Sequence, residues 1–232
     1  MCGAAVTLNG FTLGYEKNIA LNAVSGSFLK GSLTAVVGPN GSGKSTLMKG
    51  IAGILPSIAG SCALFPGARI AYLPQSSELD RSFPATVKDL VALGLWHERG
   101  LLRRHSSNDS KRISNALISV GLGGYENTSI NELSGGQFQR ALFARVIVQD
   151  ASIILLDEPF NAIDAANVQE LLAIIKIWHI EKRTIIVVIH DPLLVKDNFP
   201  ETMMINEALI TWGKTAEVLN EHSLSKPFFS CR

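Results

Sequence analysis

No stretch of this 232-residue chain approaches the roughly 18 consecutive apolar residues that a membrane-crossing helix needs, although its mean hydropathy is positive at +0.23. Any association with a membrane is therefore expected to run through a partner. An excess of either charge is also lacking. With 21 basic residues against 20 acidic ones the formal net charge is +1, so there is no electrostatic reason to expect a nucleic-acid or anionic-lipid partner. The opening Met-Cys-Gly-Ala-Ala-Val-Thr has no basic segment followed by an apolar core, so no secretory signal is read there and a cytoplasmic location is expected. Cysteine is scarce. Cys2, Cys62 and Cys231 are far apart, without C-x-x-C spacing or a neighbouring histidine, and read as reduced thiols, Cys62 as a small packing residue. No hydrophobic stretch precedes Cys2, which argues against a lipid anchor. His97, His105, His179 and His222 are scattered without metal-ligand spacing, so the chain itself is not expected to bind a transition metal. Internal repeats, low-complexity tracts and heptads are absent too.

What is present is ample apolar material, 47% of residues, for a buried core. Apolar β-branched runs at Leu33–Val37, Ile153–Asp157 and Thr184–His190 read as strands buried on both faces, hence as a parallel sheet. Helical spacing alternates with them. Leu47, Met48, Ile51, Ile54 and Leu55 recur until Pro56, and Val168, Leu171, Leu172 and Ile175 lie between the second and third strands. The alternation predicts an α/β fold with ligand loops at the carboxyl ends of the strands. Shorter strand-like pieces, Ala5–Leu8 and Phe11–Tyr15, are broken by glycine and suggest a small antiparallel β subdomain. From about Phe83 to Arg140 the texture changes. Val87, Leu90 and Val91, then Ile113, Ala116, Leu117 and Val120, predict two amphipathic helices separated by the polar stretch Arg103–Arg112, a helical subdomain inserted at about 83–140 in a single domain spanning 1–232.

Gly-Pro-Asn-Gly-Ser-Gly-Lys-Ser-Thr at Gly38–Thr46 fits the phosphate-cradling pattern G-x-x-x-x-G-K-[ST]. Gly38, Gly41 and Gly43 let successive backbone N–H groups turn toward phosphate oxygens, with Pro39, Asn40 and Ser42 between them, and the following helix presents its N-terminus to the same charge. Lys44 would reach the β- and γ-phosphates, Ser45 would ligate Mg²⁺, and Thr46 would add a donor toward the α-phosphate. By itself this loop leaves many NTPase families open. Asp157 ends an apolar strand, where a carboxylate can hold the water shell of Mg²⁺, and Glu158 follows where it can polarise an attacking water.

Between these motifs stands Leu-Ser-Gly-Gly-Gln at Leu133–Gln137, continued by Gln139-Arg140 and followed by Ile153–Pro159. That order and spacing resembles the ATP-binding cassette of ABC transporters, from Tyr15 to about Gly213. The resemblance implies a P-loop NTPase of RecA-like α/β architecture with ATP and Mg²⁺ as cofactors, and makes Glu158 the general base. It implies that Leu133, Ser134, Gly135, Gly136 and Gln137 meet ATP held by a partner subunit, in a homodimer or paired cassette closed head to tail. Tyr15, by itself an ordinary core or surface tyrosine, falls where the family stacks an aromatic on adenine. Gln75, in Tyr-Leu-Pro-Gln after the strand-like Arg69–Leu73 and otherwise a loop amide, matches the glutamine that meets Mg²⁺ and water and couples to the membrane partner. His190, otherwise a strand-end histidine, matches the switch histidine at the γ-phosphate. Asp164 of Asn161-Ala162-Ile163-Asp164 is the D-loop aspartate, where Asn161 departs from the commoner serine.

Asp80-Arg81-Ser82-Phe83-Pro84-Ala85-Thr86-Val87, Gly94-Leu95-Trp96 and Asp157-Glu158-Pro159-Phe160-Asn161-Ala162-Ile163-Asp164 resemble the ATPases of zinc and manganese uptake systems, and Trp178-His179 with Phe199-Pro200 resembles a zinc-uptake branch. The resemblance implies an ATP-hydrolysing importer subunit for a divalent metal ion, zinc first and manganese next. It would lie on the cytoplasmic face of the inner membrane, against an integral permease served by a periplasmic or extracellular metal-binding protein. An iron-chelate importer is the alternative cargo reading. A soluble ABC-type ATPase of DNA repair or translation would need a long heptad insertion or a second cassette, and the chain has neither.

Overall fold

A computed structural model describes residues 3–16, 18–99, 106–161 and 163–219. Cys2, His105, Ala162, His222 and Cys231, with the beginning of the Arg103–Arg112 stretch, lie outside the described residues. The strands in chain order are β1 (Ala4–Tyr15), β2 (Asn18–Leu29), β3 (Leu33–Val37), β4 (Ala59–Leu64), β5 (Ile70–Leu73), β6 (Ile153–Asp157), β7 (Thr184–Val188), β8 (Glu201–Ile205) and β9 (Leu209–Lys214). The helices are α1 (Lys44–Ile51), α2 (Val87–Ala92), α3 (Trp96–Arg99), α4 (Ser107–Ser119), α5 (Gly135–Gln149), α6 (Ala165–Ile180), α7 (Pro192–Asn198) and α8 (Thr215–Val218). The chain folds into two compact units, one of residues 1–72, 152–159 and 177–232, the other of 73–151 and 160–176.

The first unit holds a six-stranded sheet in the order β5-β6-β7-β3-β8-β9, with β3 parallel to both β7 and β8 and β9 antiparallel at the edge. Every residue of β3, β6 and β7 is buried. This double-sided burial is why they read as unbroken apolar runs. A three-stranded antiparallel sheet, β2-β1-β4, belongs to the same unit. Leu8, Leu13, Leu21, Val24 and Phe28 from it join Leu47, Met48 and Ile51 of α1 and Val36, Leu155, Ile186, Val188, Met203 and Ile205 of the larger sheet in one apolar core.

Three boundaries differ from the sequence reading. Ala5–Leu8 and Phe11–Tyr15 are not separate pieces: β1 continues through Gly10, and the register against β2 shifts between Leu8 and Phe11, so a bulge absorbs the glycine. Strand β7 stops at Val188, leaving His190 beyond it. Helix α1 stops at Ile51 instead of running to Pro56, the next amides donating to Met48 and Gly50 carbonyls.

In the second unit α2 and α4 pack on α5. Val87 and Val91 of α2 and Ile113, Ala116 and Leu117 of α4 are buried, as are Leu142, Phe143 and Val146 of α5. Both smaller helices start at capping boxes, Thr86 with Asp89 and Ser106 with Asp109. Gly94 shows how closely these parts approach, because a Cβ there would lie 2.5 Å from the Arg145 carbonyl oxygen and 3.2 Å from the Gln149 backbone nitrogen. Gly94→Ala must push α5 backbone aside and is expected to destabilise the protein by about 1–3 kcal/mol. Urea unfolding checks this; a midpoint equal to the wild type would mean that α5 yields without cost.

Candidate functional site

The phosphate-loop pattern occupies the turn from β3 into α1, both in the first unit. Gly43, in the left-handed region at φ 93°, turns the chain into the helix, and no side chain caps the helix N-terminus. Backbone N–H groups there suit an anionic ligand. Lys44 is 5% exposed, and its ammonium donates to the carbonyl oxygens of Gly38 at 2.9 Å and Pro39 at 2.7 Å. Burial pulls the Lys44 ammonium below its ordinary pKa, while the fields of Glu158 and Asp157 oppose the shift. The loop is braced from behind. A Cβ on Gly38 would collide with the Ile205 carbonyl oxygen, the Glu207 N–H donates to the Ser42 carbonyl at 3.0 Å, and the Asn22 N–H donates to the Glu207 carbonyl at 2.7 Å.

Beside the loop stands Asp157, fully buried at the end of β6. The Ser45 hydroxyl donates to its Oδ1 at 3.2 Å, and the Tyr72 hydroxyl donates to Oδ2 at 3.4 Å. Glu158 departs from the strand with φ 50°, ahead of Pro159. Its Oε1 lies 2.6 Å from Nε2 of His190. That hydrogen bond holds the Glu158 carboxyl below its ordinary value, with burial pushing the other way and the charges of His190 and Lys44 adding to the lowering. Tyr15, at the end of β1, is 48% exposed and opposite Asn18.

Gln75, Leu133–Gln137 and Asp164 belong to the second unit. Gln75 precedes a short 3₁₀ turn and its carbonyl accepts from the Glu78 N–H at 3.0 Å. Ser134 is the N-cap of α5: its hydroxyl accepts from the Gln137 N–H at 3.2 Å, and Gln137 Oε1 accepts from the Ser134 N–H at 2.9 Å. Leu133 is buried, while Ser134 and Gly135 are exposed. Asp164 accepts from the backbone N–H of Asn167 at 3.0 Å and from its side-chain amide, and a Cβ on Gly136 would lie 3.9 Å from that amide.

The structure thus brings Gly38–Thr46, Asp157, Glu158 and His190 together in one unit. This arrangement can cradle a polyphosphate and supply a carboxylate to a nearby water. Ser45 and Asp157 are hard oxygen donors converging beside the loop, the set that Mg²⁺ accepts when phosphate oxygens and waters complete its shell. No group of three or more His, Cys, Asp or Glu residues able to hold a metal ion occurs among the described residues. Two contributors were missed by the sequence reading. Tyr72 is read in the sequence only as part of Tyr-Leu-Pro-Gln, and no local pattern sets its strand beside Asp157. The Asn206–Ala208 turn behind the loop carries no signal either, since it acts through backbone groups alone.

Removal of the His190 partner should raise the Glu158 pKa toward or above the ordinary 4.5, because burial then meets less opposition. Carboxyl-carbon NMR of wild type and His190→Ala checks this. An unmoved titration would show that the 2.6 Å contact does not hold the carboxylate in solution.

A family model described as ABC transporter matches residues 21–161. The manganese transport system ATP-binding protein MntB of Listeria monocytogenes is 36% identical over 223 residues, covering 94% of this chain and 93% of the relative. The zinc transport system ATP-binding protein TroB of Treponema pallidum is 35% identical over 230 residues, covering 97% and 86%. Among solved structures, an ABC transporter assigned to the metal-chelate type, in an inward-facing conformation, superposes with a TM-score of 0.86 at 27% identity, covering 96% of this chain and 88% of that one.

Proposed function

Since the chain belongs to the ATP-binding subunits of the ABC transporter family, we propose that it hydrolyses ATP to ADP and phosphate to drive uptake of a divalent metal ion, zinc first and manganese next. ATP-binding subunits of importers pair with membrane permease components. Among the described residues no helix is long and apolar enough to cross a membrane, and the permease would place the chain at the cytoplasmic face of the inner membrane. A second cassette and an external metal-binding protein complete the proposed assembly.

The observation that carries the proposal is the Glu158 carboxylate, held at 2.6 Å by His190 in the unit that also contains the Lys44 cradle and Asp157. Gly38–Thr46 binds the phosphates and Tyr15 stacks on adenine; Ser45 and Asp157 would hold Mg²⁺, which would neutralise phosphate charge, and Gln75 keeps the Mg²⁺-meeting role that the family resemblance gives it. Glu158 accepts the proton of the water whose oxygen bonds to the γ-phosphorus as the bond to the β-phosphate oxygen breaks. His190 keeps Glu158 ionised and oriented for that step. Leu133–Gln137 meets the γ-phosphate of the ATP bound by the paired cassette, with Asp164 at the same interface.

Cargo rests on the relatives' names. Manganese and zinc systems at 36% and 35% identity support a free divalent ion, while the metal-chelate transporter at 27% favours the iron-chelate reading. With the permease in proteoliposomes, ATPase stimulation by a Zn²⁺-loaded binding protein but not by an iron chelate is expected, and the reverse would reassign the cargo.

Glu158→Gln is expected to bind ATP as the wild type does while turnover falls by about 10²–10⁴, the usual loss of a general base. Steady-state phosphate release within about threefold of wild type would remove Glu158 from that role.

A further inference from the structure

Arg81 lies in a tight turn of the second unit, where Asp80 Oδ1 accepts from the Ser82 N–H at 2.8 Å and from the Ser82 hydroxyl at 2.6 Å. Downstream the chain is pinned again, the Ile130 N–H donating to the Ala85 carbonyl at 3.0 Å. From this anchored turn the Arg81 guanidinium donates to the carbonyl oxygen of Leu133 and, at 3.4 Å, to that of Ile130. Its carbon lies 4.7 Å from the centroid of the Phe138 ring. Both hydrogen bonds leave one terminal nitrogen, Nη2, and the flat guanidinium lies over the aromatic ring, an arrangement in which the planar group can stack on Phe138 while its edge meets the carbonyls.

The Leu133 carbonyl shares a planar peptide with the Ser134 N–H. Arg81 holds the oxygen end of that plane, and Gln137 Oε1 holds the nitrogen end at 2.9 Å. The ring beneath the guanidinium, Phe138, is 2% exposed and lies in the first turn of α5. Arg81 therefore grips the last peptide before α5 and the first turn of the helix together. Rotation of that peptide would redirect the Ser134 N–H and break the reciprocal cap.

We propose that Arg81 is a positioning residue that fixes the Leu133–Ser134 peptide, and with it the direction in which Ser134, Gly135 and Gly136 face the partner's ATP. The second half rests on the partner-site reading above; the first does not. Hydrogen exchange of the amides from Ser134 to Phe138 reads the grip directly, and ATP-driven pairing of Glu158→Gln chains reads its consequence.

In Arg81→Ala the exchange of these amides should quicken about tenfold. Binding of a fluorescent ATP analogue to the unpaired chain should stay unchanged, since Lys44 and its loop lie in the other unit. Pairing of the Arg81→Ala, Glu158→Gln chain should weaken about tenfold. Arg81→Lys, which keeps the charge but loses the planar stack on Phe138, should fall between, and it serves alone if the alanine variant proves unstable. Unchanged exchange overturns the proposal, and so does faster exchange with undiminished pairing. If the parent Glu158→Gln chain fails to pair with ATP at all, the partner-site reading fails, while the exchange result still decides whether Arg81 holds the peptide.

Discussion

A lysine ammonium enclosed by its own loop organises the first unit. Lys44 loses most of its hydration, and two backbone carbonyls at 2.9 and 2.7 Å replace part of what water supplied. Those carbonyls point inward only while Gly38 stays pressed against Ile205 and Gly43 keeps its left-handed turn. The charge then needs a compensating field, which Asp157 and Glu158 provide. Loop conformation, strand ends and acidic pair are therefore one electrostatic arrangement.

The acidic side of this arrangement separates two carboxylates by their surroundings. Asp157 is fully buried, accepts from two hydroxyls and stays in line with its strand. Glu158, turned out of the strand by its positive φ, meets His190 instead. Neighbours in sequence thus receive different environments, one suited to holding a cation and the other to accepting a proton. The backbone turn between them achieves the separation.

Strands β3, β6 and β7 were legible because burial on both faces leaves an unbroken apolar run, and the loop and Asp157 could be placed from those runs alone. Strands β2, β4, β8 and β9 were not read. β4 is largely exposed and small in side chain, and β9 is an edge strand without alternation. The placement of β4 against β1 and of β8 against β3 depends on partners distant in the chain. For the same reason the sequence could not reveal Glu207 behind the phosphate loop, Tyr72 on Asp157, or the stop of β7 before His190. The resemblance supplied Gln75, Tyr15 and Asp164 with meanings that no local pattern carries.

The place of β3 in the sheet bears on how the chain is made. Both of its neighbours, β7 and β8, begin at Thr184 and Glu201, well after the loop that β3 carries has left the ribosome. Until they arrive, β3 has no strand on either side, and the turn that braces the loop does not yet exist. Such late, long-range pairing slows folding and leaves apolar edges open in the interval. The phosphate loop lies early in the sequence, yet it is among the last parts of this unit to acquire its native surroundings.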